Sequence, residues 1–124
     1  MTNKEIILKF INAYNSLDVE TMLQCLHCEI KFKNISNGEA NVSIKGINQF
    51  EELARQSLSL FSQREQKIIK YSEEADKINI EIEYNAVLAN DFPNGMKAGD
   101  KLQLTGKSEY IIKDGLIYSI IDES

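Results

Sequence analysis

Thiol, imidazole and carboxylate chemistry crowd into one short run of this chain, Cys25-Leu26-His27-Cys28-Glu29, which also holds its only histidine. A redox pair of this spacing needs a helix N-terminus to stabilise the thiolate, whereas the run follows a helical segment, where the dipole has the opposite sign. A structural zinc site needs four ligands, and no second Cys/His cluster accompanies Cys25, His27 and Cys28. The spacing therefore predicts two free thiols, one on each face, and neither a metal nor a cofactor. His27 remains a candidate general base, given an orienting neighbour and access to a substrate.

Tyrosine is the other repeated chemical type. Tyr14, Tyr84, Tyr110 and Tyr118 each fall on an apolar stripe, so each hydroxyl needs a partner if buried. Tyr14 and Tyr84 are the pair expected to meet over the interior, where a hydroxyl can donate to a ligand carbonyl. Asp122 is the candidate acid or base of the C-terminal segment. Counting outward from a two-residue turn at Asp114-Gly115 sets Lys107 opposite Asp122, which predicts a cross-strand ion pair in place of chemistry. Glu81 and Glu83 share a polar face and read as solvated.

The elements that must carry these residues are legible from periodicity. Thr2 and Glu5 have capping-box spacing, and Ile6, Ile7, Phe10, Ile11 and Tyr14 recur at helical intervals, predicting a helix over Asn3 to Asn15. Asp18 caps a second, shorter helix with Glu20 in its first turn and Met22, Leu23 and Leu26 inward. A short strand around Ile30 to Ile35, a turn at Ser36-Asn37-Gly38 and an extended piece over Asn41 to Lys45 follow. From Ile47 to Phe61 the apolar residues mark one face of a third helix. Strands are expected over Lys67 to Glu73 and Lys77 to Ala89, the latter alternating Ile78, Ile80, Ile82 and Tyr84 with polar residues. A loop containing Pro93-Asn94-Gly95 leads to a hairpin, Lys101 to Lys113 and Leu116 to Asp122, whose Asp-Gly pair suits a type I′ turn. Helices come first and a strand meander last, so the class is α+β, in one domain over residues 1–124.

Composition excludes several functions. Fourteen basic against nineteen acidic residues give a net charge of −5, the wrong sign for tracking phosphates on a nucleic acid or an anionic membrane. No apolar run approaches bilayer length, and the N-terminal run carries charge, so a cytoplasmic protein is expected.

Several short motifs, in order, carry a resemblance: Ala13-Tyr14-Asn15 with Asp18, Glu29 and Phe32, Gly46-Ile47, Gly99-Asp100, and Asp114-Gly115-Leu116-Ile117. In this arrangement the chain resembles the NTF2-like, SnoaL-like superfamily. The resemblance implies a cone of three helices on a curved, mostly antiparallel sheet. That family includes isomerases, cyclases, epoxide hydrolases and transport factors, so the fold does not choose a function. By spacing, Asn34 holds the position of the isomerases' general-base aspartate, and an amide has no useful basicity. The isomerases' helix-one tyrosine falls nearest Phe10, with Tyr14 one turn later. Asp122 is nearest to the acid of the cyclases.

The leading expectation is a pocket for a small, largely apolar molecule, lined by Tyr14, Phe32, Asn34, Phe50, Tyr84 and Tyr110. Its rivals are an isomerase, cyclase or hydrolase using Asp122 or His27 with Tyr14, and an association module without a cavity. Both faces of the last hairpin carry apolar residues, with Ile111, Leu116, Tyr118 and Ile120 on one and Leu102, Leu104, Tyr110, Ile112, Ile117 and Ile121 on the other. That excess predicts a homodimer through a sheet face.

Overall fold

The computed structural model describes residues 1–93 and 95–124; Asn94, in the expected Pro93-Gly95 turn, lies outside the described residues. The elements run α1 (Asn3–Asn15), α2 (Val19–Gln24), β1 (Leu26–Ser36), β2 (Glu39–Lys45), α3 (Ile47–Ser57), β3 (Phe61–Glu74), β4 (Lys77–Leu88), β5 (Lys101–Lys113) and β6 (Leu116–Glu123). Six strands form one sheet in the order β2-β1-β6-β5-β4-β3, antiparallel except for the β1–β6 pair. This is the expected α+β arrangement of three helices on a mostly antiparallel sheet.

Local chemistry explains the helix starts. Thr2 and Glu5 form the capping box, with Thr2 Oγ1 accepting from Glu5 N and Glu5 Oε1 accepting from Thr2 N. Asp18 caps α2 by accepting from the Thr21 amide and hydroxyl. Leu26 leaves that helix, however, and opens β1, so His27 and Cys28 are strand residues and Cys25 alone caps the helix end. Phe61 likewise does not extend α3; it opens a 14-residue β3 that begins six residues before the alternation in the sequence suggested.

The helices cover one face of the sheet. Ile6, Ile7, Phe10 and Ile11 of α1 and Phe50 and Ala54 of α3 are buried against Ile30, Ile78, Ile80, Tyr110, Ile117 and Ile120 of the sheet. α1 lies on β3 and β6, and α3 on β1 and β2. Since β4 alternates buried Ile78, Ile80 and Ile82 with polar residues, its other face stays wet, as its period of two requires.

The last hairpin departs from simple counting. Asp114 and Gly115 do form the two-residue turn, both at positive φ (55° and 73°), and Lys113 pairs with Leu116. Between there and the open end the register shifts: Ile112 pairs with Ile117, but Ile111 pairs with Ser119. Tyr118 is thus the extra residue of a bulge, and every residue beyond it changes face. Two expectations are corrected. Lys107 lies opposite Glu123, and Asp122 lies opposite Ser108, so the Lys107–Asp122 ion pair does not exist. Ile120 joins Tyr110, Ile112 and Ile117 on the buried face, while Ile121 moves to the opposite one beside Glu109.

Candidate functional site

Because of that bulge, a carboxylate points into the protein. Asp122 lies in register between Asn34 of β1 and Ser108 of β5, on the face that the helices cover. It lines a cavity of about 270 Å³ together with Phe10, Tyr14, Met22, Phe32, Asn34, Phe50, Leu53, Ala54, Ser57, Phe61, Arg64, Gln66, Tyr110 and Ile120. The walls are aromatic on the helix side. Phe10 packs tilted on Phe50 at 6.3 Å between ring centroids and edge-on against Tyr110 at 6.3 Å, and Phe32 meets Phe50 edge-on at 5.8 Å.

Asp122 makes one hydrogen bond, accepting from the Ser108 hydroxyl at 2.6 Å. Burial dominates over that bond and pushes its carboxyl up to about 6, from an ordinary value near 4. Around neutral pH such a group can both take and return a proton.

Tyr14 projects from α1 to meet Tyr84 of β4, their hydroxyl oxygens 2.8 Å apart. Burial raises the pKa of both. Hydrogen bonding to Tyr84 and the charge of Arg64 work against that rise at Tyr14, while the Tyr14 hydroxyl adds to the rise at Tyr84. Either hydroxyl can be the donor of the pair, and when Tyr84 donates, the Tyr14 proton is left for a third group. Arg64 lies beneath, its guanidinium 3.7 Å from the centroid of the Tyr14 ring and its Nε donating to the Tyr14 carbonyl at 2.8 Å.

Of the six residues expected to line a pocket, Tyr14, Phe32, Asn34, Phe50 and Tyr110 line this cavity, as does Asp122, the candidate acid or base. Tyr84 stands behind Tyr14 as its hydrogen-bond partner. Tyr110 is buried to 1% exposure. The Asn34 amide donates to Asn41 Oδ1 at 3.1 Å. His27 is placed elsewhere. Its ring packs edge-on against Tyr118 at 5.3 Å, its Nδ1 accepts from the Glu29 amide, and its Nε2 lies 3.8 Å from Asp114 Oδ2 at the hairpin turn. Cys25 is buried and Cys28 exposed, both as free thiols. Among the described residues, no group of three or more His, Cys, Asp or Glu side chains is placed to hold a metal ion.

Sequence reasoning missed Arg64, Gln66 and Ser108. Arg64 and Gln66 precede the point where β3 was expected to start. Their alternation with Glu65 and Lys67, running back from Ile68, was the available signal. Ser108 shares the face of Tyr110 and Ile112, and what the bulge hid was its pairing with Asp122.

The profile of the SnoaL-like domain matches residues 7–120. Among proteins of curated function, none matches the chain in sequence. Solved structures do resemble it. A candidate polyketide cyclase from Xanthomonas campestris superimposes with a TM-score of 0.82 at 16% identity, covering 98% of this chain and 89% of the other. An LEH-like epoxide hydrolase from M. tuberculosis gives 0.78 at 17% identity, covering 98% and 80%. An NTF2-like protein of unknown function from Burkholderia pseudomallei gives 0.78 at 12% identity, covering 98% and 90%. At these identities the likeness is one of fold. No helix among the described residues is long and apolar enough to cross a membrane.

Proposed function

We propose that this chain, which belongs to the SnoaL-like domain family, binds a small, largely apolar carbonyl compound in its cavity and moves a proton on it. The observation that supports this reading is Asp122, a half-buried carboxyl lining a cavity walled mainly by aromatic and aliphatic side chains and raised to about 6. Structural reasons alone do not call for it, because an ionised carboxylate held there costs stability and, among the described residues, has no cation within ion-pair distance. Asp122 would take a proton from the carbon next to the ligand carbonyl. The C–H electron pair then moves onto the carbonyl oxygen as an enolate, which Tyr14 would stabilise by donating its hydroxyl proton when its neighbour Tyr84 acts as the donor within the pair. Return of the proton from Asp122 to a different carbon completes an isomerisation; alternatively, attack of the enolate carbon on a second carbonyl closes a ring and leaves an alkoxide, which takes the proton from Asp122 and completes a cyclisation.

The test is α-proton exchange of 2-tetralone in D2O, followed by NMR. Exchange faster than background is expected, rising with pH through about 6 as Asp122 ionises. Removing the base with Asp122→Asn should slow it about 10²–10⁴-fold. Equal rates for the two proteins would sink the catalytic reading and leave a binding pocket.

The chain would also pair with a second copy through the outer sheet face, where Ile69 (51%) and Ile111 (37%) are exposed. A monomeric mass by light scattering at micromolar concentration contradicts this.

A further inference from the structure

The chain has two arginines, and their partners are distributed the wrong way round for stability alone. Arg55 lies on the surface and is paired with both Glu20 and Glu51. Arg64 is 5% exposed and, among the described residues, has no carboxylate within ion-pair distance. A buried, uncompensated guanidinium is costly, so something must offset it.

Two helix ends do part of that work. Arg64 Nε donates to the carbonyl of Tyr14 in the last turn of α1. Its Nη1 donates to the hydroxyl of Ser57 at 3.3 Å, at the end of α3, and that hydroxyl donates in turn to the Ala54 carbonyl. Both helix C-termini carry partial negative charge, which accounts for the placement of the cation. It does not account for Nη2, which is buried without any acceptor. The residue carrying that idle donor lines the cavity, as does Gln66, whose buried Oε1 also lacks a partner.

We propose that the cavity is built for a small carboxylate, an anionic group on an otherwise apolar body, and that Arg64 Nη2 is its receptor. This rests on the reading of the cavity as a small-molecule site and adds the charge of its occupant. Arginine suits the task because its planar fork keeps two donors engaged with the helix ends while a third meets the ligand. The aromatic walls of Phe10, Phe32 and Phe50 take the apolar body. Asp122 lines the same cavity, and like charges repel, so the ligand carboxylate is held at the Arg64 end and the reacting carbon at the Asp122 end.

The test compares 2-naphthoate with its neutral isostere 2-naphthamide at pH 8, by calorimetry on the intact chain. The wild type should bind the carboxylate at least ~10-fold more tightly, as expected for one charge-assisted hydrogen bond. Arg64→Gln, checked for folding by circular dichroism, should reduce that preference to less than ~2-fold while still binding both. A readout on the unmodified protein guards against a variant that fails to fold: the Nε–H resonance of Arg64 should move on adding 2-naphthoate and not 2-naphthamide, with Arg55 as the unmoved control. Equal affinities, a preference that survives Arg64→Gln, or an unmoved Arg64 resonance each overturn the carboxylate assignment while the pocket stands. Binding of neither compound at millimolar concentration overturns the pocket itself, and the assignment with it.

Discussion

Two regions of this molecule gather titratable side chains, and the difference that matters between them is access to water. At the hairpin tip, Asp114, His27, Cys28 and Tyr118 form the group that composition alone would favour for catalysis. Lys31 and Lys113 add cations over the Tyr118 ring, at 5.6 and 4.9 Å from its centroid. Yet Asp114 is 76% exposed, so water screens its charge. Inside the cavity, Asp122, Tyr14, Tyr84 and Arg64 include neither imidazole nor thiol. There, burial moves the carboxyl up to about 6 and leaves donors and acceptors idle. Reactivity follows desolvation more than residue type.

The largest expected effect separates the two regions directly. Asp122→Asn should cost about 10²–10⁴ in exchange rate, whereas His27→Ala should leave the rate within about 2-fold. A large loss in the His27 variant would reverse the comparison.

Stability should show the same contrast. The folded pKa of Asp122 lies above its unfolded value, so its contribution is fully present below about pH 4 and is lost as pH rises to about 6. The difference between about 6 and 3.8 corresponds to about 3 kcal/mol, so urea unfolding of the wild type should weaken by up to that amount between pH 4 and 6.5. Asp122→Asn removes this component and should be the more stable protein at pH 8. A wild-type curve no steeper than that of the variant over this range contradicts the burial argument. Ser108→Ala, which deletes the one bond favouring the ionised form, should push the Asp122 carboxyl higher and move the rise in exchange rate to higher pH.

Smaller effects sharpen the picture. Tyr84→Phe removes the hydrogen bond to Tyr14 and should cost about 1 kcal/mol in unfolding free energy. At the hairpin tip, Asp114→Asn keeps a residue tolerant of the turn's positive φ and deletes only an exposed charge, so stability should change by less than about 1 kcal/mol.

How far the sequence could be read depended on the range of the interaction involved. α1 was legible to the residue because Thr2, Glu5 and the Ile6–Phe10–Tyr14 spacing act within a few turns. The Asp114-Gly115 turn was equally clear, since positive φ is a property of those residues. Five cavity residues, Tyr14, Phe32, Asn34, Phe50 and Tyr110, were named in advance because their element and face followed from period. Arg64 was not, because the junction of α3 and β3 carries no breaker: Phe61 fits the helical stripe as well as the strand, and only pairing with Leu88 decides between them.

By itself, then, the chain determined its elements, its α+β class and the stripe of oily residues that the helices cover, because these depend on neighbours a few positions apart. Tertiary structure decided the site. One extra residue at Tyr118 turned Asp122 from the expected partner of Lys107 into a half-buried carboxyl beside Ser108, and only packing between β5 and β6 fixes where that residue bulges. A shift of one position inverts a strand's faces, and the energy that selects the register lies in contacts made across the sheet.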